Sequence, residues 1–125
     1  MVTCVGSLSK AKIRLANATA TNKNEVAEFN ERFEILSLVG TVTQGGESGH
    51  LHVSLGDKGG KVVGGHLMDG CTIFTTAEIV MGVSNTLVFN RTFDKATGFD
   101  ELEPSVGQNP PLATENLLEN TDGVL

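Results

Sequence analysis

The chain contains no tryptophan and no tyrosine, and its 5% aromatic content comes from six phenylalanines. A core must therefore be built from Val, Leu, Ile and those Phe side chains, and the stacking platforms used on single-stranded nucleic acids are almost missing. Positive charge is scarce too: nine Lys and Arg against fifteen Asp and Glu leave a net charge of -6. Neutralising phosphates takes clustered basic residues, and here they are scattered, so binding to a polyanion is disfavoured. No stretch approaches the roughly 20 apolar residues of a membrane helix. The opening MVTCVGSLSKAKIRLANA lacks the basic segment, apolar run and small-residue cleavage site of a secretory signal. These absences describe a protein expected inside the cell, cytoplasmic or nuclear, with no membrane attachment. There are two cysteines, Cys4 and Cys71, and in that setting they are expected as free thiols. The sequons at Asn17 and Asn90 then carry no consequence.

At 125 residues the chain is sized for one domain with a single core. TCVGSLSKAKIRLAN alternates, with Ala11, Ile13 and Leu15 on one side and Lys10, Lys12 and Arg14 on the other, the period of a half-buried strand. RFEILSLVGTVT reads as a second strand, kinked or bulged at Gly40. HLHVSL and KVVGGHL flank a polar glycine-rich turn and read as a hairpin. CTIFTTAEIVMGV and TLVFNRTFD are further strands, and KATGFDELEPS closes the domain with turn chemistry. Six strands with almost no helix predict a mainly antiparallel sheet occupying 1–103. The remainder, 104–125, holds all three prolines and only acidic charge, and is expected to be a disordered tail with at most a marginal helix near Leu117.

All three histidines fall between Gly49 and His66. His50 and His52 are two apart, so both lie on one face of their strand while Leu51, Val53 and Leu55 face the other way. If Gly56 to Gly60 form the turn, Leu55 pairs with Lys61, His50 lies opposite His66, and His52 faces Gly64. Opposed residues have Cβ atoms roughly 4.5 to 5.5 Å apart, which lets three imidazoles converge on one divalent metal. Zinc accepts neutral imidazole, and three protein ligands leave a fourth position to water or substrate. The sequence therefore nominates His50, His52 and His66 as ligands of one zinc ion per chain, against the alternative that His50 and His52 are ordinary solvent-facing strand residues and His66 caps a turn. A one-residue slip in register would send His66 to the opposite face.

Other candidates carry less. GDKGGKVVGG superficially resembles a phosphate loop, but Lys61 is followed by Val62 where Ser or Thr should hold magnesium, and no helix pattern follows. Glu78 could orient a ligand or act as a base beside metal-bound water, or simply face outward and pair with Arg14 or Arg91. Ser54 shares the His52 face with nothing to mark it as a nucleophile. Asp69 follows the hairpin closely enough to approach the site, though an Asp before Gly70 more commonly forms a turn.

FEILSLVGTV, GHLHVSLGDKGGKVVGGHLMDGCTIFTTAEIV and FDKATGFDEL resemble, in order and spacing, the plant and prokaryote conserved (PPC) domain, which also follows AT-hooks in plant nuclear proteins. VGSLSKAKIRLAN is similar to that family's early GSLS strand. The resemblance, from about Val2 to Leu102, implies an α+β fold with a mainly antiparallel sheet, short or absent helices, and a homotrimer. The strand and helix that open the family pattern are not found ahead of the GSLS strand. Prokaryotic members carry a zinc site of His-x-His and Gly-Gly-His histidines, which map onto His50, His52 and His66. The basic AT-hook is absent, so direct DNA binding is not implied. Three functions are consistent with these features: a metal-binding, self-associating module for assembly or partner recruitment, a small zinc enzyme using a metal-bound water, and a transcription-linked factor working through protein partners. The first ranks highest, because the ligands come without an acid, base or oxyanion constellation around them; no catalytic residue is assigned.

Overall fold

The computed structural model describes residues 3–17, 19, 21, 23–43 and 48–107, which contain eight strands and no helix. Two compact units are present, Met1–Gly82 and Val83–Leu125. The predicted helix near Leu117 and most of the acidic tail lie outside the described residues.

The first unit is organised around β1 (Thr3–Arg14). Its inward positions are buried, with Ala11 and Ile13 fully enclosed, as the alternation requires. Along its length β1 pairs antiparallel with β6 (Thr72–Val80), β3 (Phe33–Val42), β2 (Val26–Phe29) and β5 (Val62–Leu67). The hydrogen-bonded order β1–β3–β4–β5, with β4 spanning Gly49–Gly56, returns to β1 and closes a ring of four strands. Closure removes free edges from the strands that carry the core. Leu8, Phe33, Ile35, Leu38, Val53 and Leu55 fill the interior.

Two irregularities bend the ring. Between Gly6 and Leu8 of β1 the register with β6 shifts, Thr75 sits at φ 62°, and the buried Ser7 hydroxyl donates to the Phe74 carbonyl at 2.6 Å. That bond satisfies a carbonyl that the broken ladder leaves over. The expected bulge in β3 is present but not at Gly40, which pairs in register with Leu51. It lies between Ile35 and Ser37, where Leu36 is the extra residue and is exposed.

Two strands go beyond the sequence expectation. β2 was not assigned from the sequence and is held by its pairing with Ala11 to Arg14. In the second unit β7 (Leu87–Asp94) pairs in full register with β8 (Phe99–Val106), so FDELEPSV is strand rather than closing turn. The Asp94 carbonyl accepts from the Gly98 amide, and its carboxylate from the Ala96 amide, which closes the hairpin. Pro104 is tolerated because a two-stranded ribbon is all edge.

Candidate metal centre

β4 alternates as its sequence dictates: Val53 and Leu55 point into the core, and His50 and His52 point outward. β3 braces it from one side, with Val39 opposite His52 and Thr41 opposite His50. β5 braces it from the other, and here the register differs from the expectation. His52 lies opposite His66, and Gly64 opposite Ser54; His50 is not the partner of His66.

The turn explains the difference. Asp57 and Lys61 are themselves a closing pair, the Asp57 amide donating to the Lys61 carbonyl at 2.9 Å and the Gly60 amide to the Asp57 carbonyl at 3.0 Å. The loop is therefore Lys58 to Gly60, with Gly60 at φ 79° in the left-handed region that a three-residue hairpin loop needs. The Asp57 carboxylate accepts from the amides of Gly59 and Lys61 at 2.7 and 2.9 Å, which locks the short loop in place. Those same bonds use up amides that a phosphate cradle would need. The pairing is displaced by two positions, and a shift of two preserves the face.

All three imidazoles consequently meet. Nε2 of His50 is 3.1 Å from Nε2 of His52, and ring centroids are 5.1 Å apart for His50–His52 and His50–His66 and 5.4 Å for His52–His66. The candidate ligand atoms all lie within 4.8 Å of one another. In a tetrahedral site with Zn–N near 2.0 to 2.1 Å, neighbouring nitrogens are roughly 3.3 Å apart. The His50–His52 pair is already at that spacing, and the other contacts need ring adjustments of at most roughly 1.5 Å. His50 and His52 are exposed and His66 is half-buried, so an ion there would keep an open side.

Neither carboxylate candidate joins this cluster. Glu78 is exposed and pairs with Val5 near the start of β1, whereas His66 pairs with Arg14 at its end. Nine residues of strand, roughly 30 Å, lie between those positions. Arg14 is therefore not Glu78's partner; within the second unit the Arg91 guanidinium donates to the Asp100 carbonyl at 3.0 Å. Asp69 is exposed in the turn between β5 and β6. Both cysteines are free; Sγ of Cys71 accepts from the Lys12 amide at 3.2 Å. No sequence pattern cues the placement of Arg14 directly across from His66, because the β1–β5 pairing joins segments some fifty residues apart.

The plants and prokaryotes conserved domain pattern matches residues 1–85. This chain belongs to that family. Within the family's fold, a hypothetical protein from Salmonella cholerae-suis is 36% identical, with a TM-score of 0.74 over 84% of this chain and 71% of that one. A metal-containing protein from Archaeoglobus fulgidus is 28% identical, with a TM-score of 0.60 over 81% of this chain and 71% of that one. The chain is also 40% identical, over 93% of its length, to a bifunctional protein GlmU of a Synechococcus strain. The chain spans only 18% of that relative's length. The PPC fold is seen here as a mostly antiparallel β structure, and the three histidines form a cluster able to hold a metal ion. Among the described residues no helix is long and apolar enough to cross a membrane.

Proposed function

We propose that this PPC domain is a metal-binding, self-associating module that serves assembly or partner recruitment, with one divalent ion, zinc in preference, held by His50, His52 and His66. The observation that carries the reading is the gathering of three imidazole ligand atoms within 4.8 Å on one outward face. The donor set is all nitrogen with no thiolate, and three ligands leave one coordination position open. The relative from Archaeoglobus fulgidus, described as metal-containing, supports the same reading. Exposed apolar side chains on β6, Ile73 and Ile79 among them, favour a homotrimer over a free monomer. The occurrence of a similar segment as a small part of a larger bifunctional protein suits an appended module.

Metal analysis of the purified chain tests the proposal. Wild type is expected to hold about one zinc per chain, and His66→Ala to lose most of it, because two exposed ligands on one strand bind far more weakly than three. Full stoichiometry in His66→Ala would overturn the assignment. Turnover of a hydrolysable ester or phosphoester panel that disappears with the metal would favour the zinc enzyme reading instead, with a metal-bound water as nucleophile.

A further inference from the structure

We infer that the centre takes a small oxyanion, a carboxylate or a phosphate-type group, as its exchangeable ligand, and that Arg14 is the residue that receives it. The inference rests on the metal reading above and goes beyond it by assigning a ligand class and a recognition residue. Arg14 is the direct cross-strand partner of His66, and His66 is the direct partner of His52. The row Val39, His52, His66, Arg14, Val26 therefore runs across four seams of the sheet, with the guanidinium-bearing residue next to the ligand on the same outward face. Directly opposed residues have Cβ atoms roughly 4.5 to 5.5 Å apart, well within reach of an arginine side chain.

The seam that brings them together is close. A Cβ at Gly65 would meet the Arg14 carbonyl oxygen at 2.6 Å, so the β1–β5 approach depends on a residue with no side chain. Electrostatics favours an anion. Lys12, two positions along β1, shares the face of Arg14, and neither closes an ion pair among the described residues. Glu28, the cross-strand partner of Lys12, is bound to Lys10 at 2.7 Å, which together with the charge of Lys12 holds it below the usual carboxylate range. No carboxylate joins the histidines, so a divalent ion would keep its full charge at the open position. An otherwise acidic chain thus concentrates positive charge beside its one metal-capable cluster among the described residues. A guanidinium presents a planar fork that matches two oxygens of an oxyanion, while the metal takes a third oxygen of a phosphate or the remaining lone pair of a carboxylate oxygen.

The test uses the whole chain loaded with Co2+, whose visible absorption reports the coordination sphere. Titration with inorganic phosphate and, separately, acetate should change the spectrum of wild type. Arg14→Gln should bind the same cobalt but weaken whichever anion binds best by about tenfold, the loss of one charge-assisted contact. Arg14→Lys, which keeps the charge and loses the fork, should fall between them. The phosphate and acetate arms decide which oxyanion the site prefers. If cobalt does not bind to wild type, the metal reading itself fails. If cobalt binds and neither anion alters the spectrum, or both act equally on wild type, Arg14→Gln and Arg14→Lys, the role of Arg14 is refuted while the metal reading stands. Circular dichroism of each variant identifies loss of fold, and Arg14→Lys decides the question should Arg14→Gln fail to fold.

Discussion

Cys4 and Cys71 show how placement separates two residues that the sequence treats alike. Cys4 lies in the core at 6% exposure, and burial pushes its thiol up from the ordinary range. Cys71 is only half-buried, with its sulfur among the Lys12 amide and the carbonyls of Lys12 and Met68. Thiolate is the reactive form, so iodoacetamide should alkylate Cys71 in the native protein well before Cys4, read by mass spectrometry of time points. The raised Cys4 value also fixes a sign. The folded state holds that proton more tightly than the unfolded chain, so the contribution is complete below the unfolded thiol pKa and is lost as pH rises through the folded value. Thermal midpoints should therefore decline in the alkaline range, and Cys4→Ala should decline less steeply. At this scale much of the site was legible. The two-residue spacing of His50 and His52 settles their common face, and parity puts His66 on that face in either of two registers. The neighbour of His66 was not legible, because Arg14 arrives from a strand distant in sequence and pattern says nothing of which strands meet.

The β4–β5 hairpin is the element that fixes the centre, and its turn sets the register. Polar, glycine-rich composition predicts a loop but leaves its centre ambiguous by a residue; Asp57 resolves it by accepting from two amides across a three-residue loop. Removing those bonds in Asp57→Ala should cost about 1 kcal/mol of stability, measured by urea unfolding. Metal stoichiometry should survive, since strand pairing on both sides of β4 still specifies the face. Gly65→Ala should behave in the opposite manner. Its added methyl meets backbone at 2.6 Å, which cannot rotate away, so β5 must separate from β1 or lift from β4. Metal affinity should fall more than tenfold, followed by competition with a chromophoric chelator, because His66 moves with its strand. The elements missed by pattern were those with weak signals of their own. β2 is four residues long with alternating exposure, and β8 is acidic and proline-bearing, so each is strand only because a partner supplies the ladder.

Among the described residues the buried apolar core comprises nine side chains, all in the first unit. Ile13 and Leu55 are fully enclosed, and replacing either by Ala should cost about 2 to 5 kcal/mol, enough to unfold a marginal domain. Yet Ile73 is 55% and Ile79 45% exposed, although their cross-strand partners on β1, Leu8 and Cys4, are buried. Among the described residues β6 pairs with β1 alone, so it also presents an unpaired edge. Apolar side chains beside an open edge favour association, and a second and third copy of the same chain satisfy the proposed homotrimer without a further component. Sedimentation should then give a mass near three chains for wild type. Ile79→Asp places a charge on that surface while leaving the histidine hairpin at the far end of β1 untouched. It should shift the mass toward monomer and retain metal in the same preparation. Loss of metal together with the trimer would instead mean that assembly completes the centre, and an unchanged mass would place the association surface elsewhere on the molecule.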